Sequence, residues 1–296
     1  MNLIYNSHAP ESLFQALLKT LKWDKGEFEI KRFENKELYL TLKQSPNNQI
    51  CVIVGSIAPP EQNLVDLLLL ASTLKQQGAT RVVCALPYLS YTRHDHDEPL
   101  KSLGAEFIGQ LFKASGIDQI ITCDIHSQKG QKLFQVPVVS IDLERLFSDA
   151  INKDQIKVDQ VIAPDEGAKQ RAFKLASLLN VPYAVFHKTR DRFQVVHKEI
   201  DEAILKDVVI IDDMLDTGDT LVSCVNILKT KGALNITIAV SHGLFTLERW
   251  QKLLSLGVKM IYTTSTIEHP ANFYKQYNIR CLDVAPYIGE VLCQSL

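Results

Sequence analysis

The sequence predicts an α/β protein of two tandem domains, each a mostly parallel sheet flanked by helices, with a hairpin or flap ahead of the first sheet. Three observations carry that prediction. Short runs rich in Val and Ile alternate with longer helical patterns, as parallel βα units require, and the alternation starts afresh midway. The chain's 296 residues also suit two domains of about 100–200 residues each.

Element by element, FEIKRFENKELYLTL (28–42) places strand-like segments around a polar centre, which points to a hairpin standing off the main sheet. QICVIVG (49–55) reads as a strand, 61–77 as a helix, RVVCALP (81–87) as a strand, 102–114 as a helix and IDQIITCD (117–124) as a strand. The pattern restarts with strand VDQVIAPD (158–165), helix 167–179, and strands PYAVFHK (182–188) and DVVIIDD (207–213). Helix 217–231 and strands NITIAVSH (235–242) and VKMIYTTS (258–265) complete it. The division falls near residue 145, giving domains 1–145 and 146–296, with the C-terminal helix a candidate to pack back on the first. No glycine-serine linker separates the halves, so they are expected to pack together.

Composition removes several functional classes. A content of 46% apolar and 22% charged residues suits a globular protein with sizeable cores. The 32 basic and 34 acidic residues nearly cancel and no long basic run occurs, so no nucleic-acid partner is expected. The cysteines (Cys51, Cys84, Cys123, Cys224, Cys281, Cys293) lack the close pairing of zinc or redox motifs and read as buried, reduced thiols. The longest apolar stretch, Leu64 to Ala71, is broken by Asp66 and too short to span a bilayer, and the N-terminus lacks a basic segment followed by a long apolar one. A cytoplasmic location without membrane contact is the expectation.

Ligands of open parallel sheets collect where strands end and helices begin. The polar clusters SYTRHDHDE, DIHSQ, PDEGAKQR and DDMLDTGDT each follow a predicted strand. The last lies in VVIIDDMLDTGDTL (208–221), an apolar strand running into adjacent acids and a small-residue turn that opens a helix. Asp216, Thr217, Gly218, Asp219 and Thr220 form that turn, whose N–H groups and hydroxyls can cradle a phosphate at the positive end of the helix. Asp212 and Asp213 can accept hydrogen bonds from sugar hydroxyls or hold a hydrated divalent ion. The plainer alternative, a helix capped by Asp216, accounts for one acid and leaves two unexplained.

This segment resembles the phosphoribosyl-diphosphate motif shared by type I phosphoribosyltransferases and ribose-phosphate pyrophosphokinases. Further segments resemble the pyrophosphokinases in order and approximate spacing over nearly the whole chain, which implies two type I phosphoribosyltransferase-like domains. KRFENKE (31–37) is similar to the family's flap, which reaches into a neighbouring subunit; by that resemblance Phe33 stacks on the adenine of ATP while Asn35, Lys36 and Glu37 line the pocket. In PYLSYTRHD (87–95) the resemblance gives Arg93 to the ATP phosphates, with His94 where the family usually has glutamine. Tyr88 and Tyr91 read as packing residues. ITCDIHSQ (121–128) resembles the magnesium-linked segment, with His126 holding a metal-bound water and Asp124 an orienting residue. VIAPDEGAKQRA (161–172) resembles the loop of a metal-associated aspartate, here Asp165, and has Gly167–Ala168 where the family has two glycines. In FHKTRDRFQVVHKE (186–199), Lys188 and Arg190 match the catalytic lysine and arginine of the family's mobile loop. Read alone, both this run and the flap read more readily as solvated hairpins, and the neighbouring segments carry the resemblance.

The resemblance implies transfer of diphosphate from ATP to ribose 5-phosphate with Mg2+, in a homo-oligomer whose ATP site is shared between subunits. Two departures stand out. HDHDEPLKSLG (94–104) replaces a longer basic, serine-containing regulatory loop, which predicts weak activation by inorganic phosphate and little inhibition by ADP. TGDT (217–220) is closer to the transferase version of the phosphate loop. The competing readings are a phosphoribosyltransferase, which leaves the flap and the Lys188/Arg190 loop unexplained, and a catalytically silent regulatory homologue.

Overall fold

The computed structural model describes residues 2–95, 99–191, 194–197, 200, 203–270 and 272–296, with the backbone alone for 188–191 and 194–197. The chain forms two compact units, one ending at Ile141 and completed by Val284–Leu296, the other Asp142–Asp283.

The first unit runs β1 (Leu3–Ser7), α1 (Glu11–Leu21), β2 (Asp24–Lys25), β3 (Phe28–Arg32), β4 (Leu38–Leu42), β5 (Ile50–Gly55) and α2 (Gln62–Gln76). It continues with β6 (Arg81–Ala85), α3 (Gly104–Ala114), β7 (Gln119–Cys123), α4 (Gln128–Leu133) and β8 (Val138–Ile141). Six strands make a sheet in the order β2-β1-β5-β6-β7-β8, every pair parallel. Val82–Ala85 and all of Gln119–Cys123 are buried, which is why these strands are continuous apolar runs rather than alternating ones. The antiparallel pair β3–β4 is a separate two-stranded hairpin, the flap expected over 28–42.

The second unit runs α5 (Glu144–Lys153), β9 (Gln160–Ala163), α6 (Lys169–Leu179), β10 (Tyr183–Val185), β11 (Lys188–Asp191) and β12 (Gln194–His197). Then come β13 (Asp207–Leu215), α7 (Asp219–Thr230), β14 (Asn235–Gly243), α8 (Lys252–Ser255), β15 (Met260–Thr264), α9 (Phe273–Gln276) and β16 (Ile279–Leu282). Its six-stranded parallel sheet has the order β10-β9-β13-β14-β15-β16, with β11–β12 an antiparallel hairpin beside it. The last helix, α10 (Ala285–Ser295), packs against α1, β7 and β8 of the first unit. Helix α10 buries Ile288 and Leu292, and α1 buries Leu13, Phe14 and Leu17, each burial stabilising by about 1.5–3 kcal/mol.

The structure adds to the sequence reading and corrects it. Strands β1, β8 and β16 and helices α1 and α5 are not announced by the sequence patterns. Helix α5 spans residue 145, and the units divide before it, at Asp142. Four cysteines are buried, but Cys281 is half-buried and Cys293 exposed, because both lie near the end of the chain where helix and strand each keep a solvent face. Among the described residues no helix is long and apolar enough to cross a membrane.

Candidate active site

Because each sheet is parallel throughout, all its strands end at one edge, and the helices that follow begin there. In the second unit that edge collects Asp165 after β9, the hairpin Lys188–Asp191 after β10, the acids of β13, and the turn into α7.

Asp165 caps a short 3-10 turn, Glu166–Ala168, its Oδ1 accepting from the N–H of Ala168 at 3.2 Å. Ala168, in place of the second glycine, is buried. Strand β13 runs past the acids to Leu215, so Asp212 and Asp213 lie within the strand and not after its end. Asp213 is 4% exposed and donates its backbone N–H to Oδ1 of Asp212 at 2.9 Å. Burial above all, then the charges of Asp213 and Asp165, push the Asp212 carboxyl well above the usual carboxylate range, while the guanidinium of Arg171 works the other way. Burial first, then the charges of Asp212 and Asp165, also raises the thiol of Cys224 in α7.

The turn into α7 differs from the capping alternative. The N-cap is Gly218, two residues beyond Asp216, and glycine has no side chain to satisfy the first N–H groups of this 12-residue helix. Gly218 adopts φ +86°, a left-handed conformation open to glycine. A Cβ there would lie 2.8 Å from Cα of the buried Trp250, so the turn is pressed against a backbone. Trp250 is itself held by Phe245, Tyr277 and Phe273, at ring distances of 4.8, 5.0 and 5.9 Å. Thr217 donates its hydroxyl to Oδ2 of Asp219 at 3.1 Å, and Arg249 faces the same oxygen at 3.5 Å. Helix dipole and uncapped N–H groups together suit an anion, with Thr217 and Thr220 at its rim.

The side chains of Lys188 and Arg190 lie outside the described residues. Their backbone forms β11, where Lys188 pairs with His197 and Arg190 with Val195. Just before it, Nδ1 of His187 stands 3.4 Å from Glu166, tying the start of the hairpin to the Asp165 turn.

In the first unit the predicted residues also gather at one sheet edge. The flap tip is a tight turn: Phe33 donates its N–H to the carbonyl of Glu37 and Lys36 to that of Phe33, both at 2.8 Å, and Lys36 takes φ +71°. Asn35 accepts from the N–H of Glu37 at 3.1 Å, so its side chain shapes the turn. Phe33 is 56% exposed, its ring 4.5 Å from that of Tyr39. Arg93 and His94 are exposed on the loop after β6, which the partly buried Tyr91 packs onto the core. His126 is half-buried in the turn after β7; Asp124, at φ +39° and 8% exposed, donates its N–H to the carbonyl of Ile141 at 2.9 Å and orients that turn.

Sequence reasoning missed two residues here. Asp95, 1% exposed, accepts from the hydroxyl of Ser127, the N-cap of α4, and so fastens the Arg93–His94 loop to the His126 turn. Arg171, in the first turn of α6, reaches back to the carbonyl of Gly167 at 3.3 Å and is the cation acting on Asp212. The signal for Arg171 was its place three residues past the Gly167–Ala168 turn, on a helix that starts there.

His126 belongs to the first unit and Asp165 to the second. Among the described residues no three His, Cys, Asp or Glu side chains converge as a ready-made metal cage. The carboxylates still suit magnesium, which commonly takes one or two of them and fills its remaining positions with water and substrate phosphate. The mutual repulsion of Asp165, Asp212 and Asp213 is what a cation would relieve.

The chain's resemblances bear on both edges. The family profile for the N-terminal domain of ribose phosphate pyrophosphokinase matches residues 2–116, and that of the phosphoribosyl transferase domain matches 130–269. A ribose-phosphate pyrophosphokinase of Corynebacterium efficiens is 28% identical, over 99% of this chain and 92% of its own length. One from Porphyromonas gingivalis is 28% identical over 95% of this chain and 90% of its own. The crystal structure of phosphoribosylpyrophosphate synthetase from Mycobacterium smegmatis superposes with a TM-score of 0.85 at 26% identity, covering 98% of this chain and 97% of that one.

Proposed function

Because the chain belongs to the ribose-phosphate pyrophosphokinase family, we propose that it transfers the diphosphate group of ATP to the anomeric hydroxyl of ribose 5-phosphate, giving 5-phosphoribosyl 1-diphosphate and AMP. The observation that carries the sugar-phosphate assignment is the opening of α7, a glycine-capped helix N-terminus that follows the adjacent acids Asp212 and Asp213, the second of them buried. The 5-phosphate sits on residues 216–220 and the sugar hydroxyls donate to Asp212 and Asp213. Phe33, with Asn35, Lys36 and Glu37 behind it, holds the adenine; Arg93 and His94 bind ATP phosphates.

The anomeric oxygen attacks the β-phosphorus of ATP in line, the bond from that phosphorus to the α–β bridging oxygen breaks, and AMP leaves with that oxygen. The proton of the anomeric hydroxyl passes to water or a nearby base. Lys188 and Arg190 meet the charge that moves along the phosphates, and fixed cations stabilise that transition state more than the ground state. His126 in the first unit and Asp165 in the second would each be a residue for holding magnesium, which would supply charge neutralisation at the phosphates.

A ring as exposed as Phe33 supports the assignment of the flap to a neighbouring copy's nucleotide, and hence a homo-oligomer, which light scattering would test. The reading is tested with Lys188→Ala. The rate of AMP release should fall by about 10²–10³-fold with ribose 5-phosphate affinity unchanged. An undiminished rate would remove Lys188 from the mechanism.

A further inference from the structure

The flap's base and tip are held differently. At the base, Phe28, Leu40 and Leu42 pack against the core of the first unit. At the tip, Phe33 through Glu37 are exposed. Among the described residues, the side-chain hydrogen bond that leaves the tip for the body of the unit is made by Arg32. Its Nη1 donates to the carbonyl of Lys36 at 2.8 Å, and its Nη2 to Oε1 of Gln62 at 2.6 Å. One guanidinium thus braces the tip turn and ties it to the first residue of α2.

The chain of contacts continues inward. Gln62 donates its Nε2 to Oδ1 of Asp66, one helical turn on. Asp66 is 5% exposed, and its other oxygen meets Nε2 of His8 at 2.9 Å. His8 is held at φ +63° just past β1, where it bridges to Gly55 at the end of β5. The amide at position 62 is what the arrangement needs. It accepts from a cation with one atom and donates to a carboxylate with the other, so it carries a fixed direction from a buried acid to the flap tip.

We propose that Arg32, Gln62, Asp66 and His8 form a latch that sets where the flap tip stands relative to the edge of the first sheet. Gln62 is a positioning residue for nucleotide binding that touches no substrate. The catalytic consequence rests on the assignment of the flap to ATP; the latch itself does not.

The test compares the full-length protein with Gln62→Ala and Gln62→Glu. Gln62→Ala removes both contacts, whereas Gln62→Glu keeps an acceptor for Arg32. Hydrogen–deuterium exchange over peptides covering 33–37 should speed up about fivefold to tenfold in Gln62→Ala, the loss of roughly one charge-assisted hydrogen bond at a partly exposed site. The KM for ATP should rise by a similar factor, with kcat and the KM for ribose 5-phosphate within about twofold of the parent. Gln62→Glu should recover the effects only in part, because it keeps the acceptor for Arg32 but sets a second carboxylate against Asp66 in place of the amide donor; a merely structural role in α2 would not separate the two variants. Unchanged tip exchange in Gln62→Ala would overturn the latch. Faster exchange with an unchanged KM for ATP would overturn its role in nucleotide binding. If the parent formed no product, the assignment of the flap would fail, and exchange alone would decide the latch.

Discussion

Replacing Gly218 by alanine puts a methyl group 2.8 Å from Cα and 2.9 Å from Cβ of Trp250, on a residue already at φ +86°. The conformational part costs about 1–2 kcal/mol, because a Cβ crowds the backbone in the left-handed region. The contact adds about 1–3 kcal/mol, since Trp250 is 1% exposed and cannot withdraw without disturbing Phe245, Phe273 and Tyr277. The sum, about 2–5 kcal/mol, lowers the melting midpoint by roughly 10 °C for a unit of this size. Gly232→Ala is the control. That glycine sits at φ +102° with no atom within 4 Å of the point a Cβ would occupy, so its alanine incurs the conformational part alone. Calorimetric melting of both variants, with ribose 5-phosphate titrated into each, separates the effects. Gly218→Ala should melt several degrees below Gly232→Ala and lose at least about tenfold in sugar-phosphate affinity, because the N–H groups of α7 shift with the turn. Equal melting of the two variants, or full affinity in Gly218→Ala, would refute this account of the turn.

Two further outcomes follow from the charges and the shortened loop. The carboxyl of Asp212 titrates above its unfolded value, so the folded state binds the extra proton, and its contribution to stability is present below the unfolded value and lost as pH rises through the folded one. Asp212→Asn should therefore flatten the fall of the melting midpoint as pH rises above about 4, the unfolded carboxyl's value, raise that midpoint at neutral pH and weaken ribose 5-phosphate binding; parallel pH curves would contradict it. The loop HDHDEPLKSLG, of which 96–98 lie outside the described residues, predicts little stimulation of product formation by inorganic phosphate and little inhibition by ADP beyond competition with ATP; strong phosphate activation in a rate assay would contradict it.

How much could be read from the sequence depended on where the information lay. Strands buried on both faces, such as Gln119–Cys123 and Gln160–Ala163, show as apolar runs and were legible. Val138–Ile141 and Ile279–Leu282 are sheet-edge strands of four residues with mixed burial, too short for a periodic signal. Helix α5 was hidden by its charged exposed face, although it buries Phe147, Ala150 and Ile151. In the site, the acids and the glycine turn of 212–220 were legible because they are contiguous. The alternative of a cap at Asp216 falls two residues early, because glycine, not a side-chain oxygen, opens α7. Asp95–Ser127 and His8–Asp66 escaped notice since they pair residues 32 and 58 positions apart, which only the folded sheet brings together.

The central claim is that the β-phosphorus of ATP is the atom attacked, by the anomeric oxygen of ribose 5-phosphate. The most direct measurement is phosphorus NMR of the products formed with ATP, magnesium and ribose 5-phosphate. The account predicts AMP and a sugar 1-diphosphate in equal amounts, with neither formed when the sugar is withheld. Formation of ADP and a sugar 1-phosphate, or no turnover by a protein that still binds phosphoribosyl diphosphate, would contradict it.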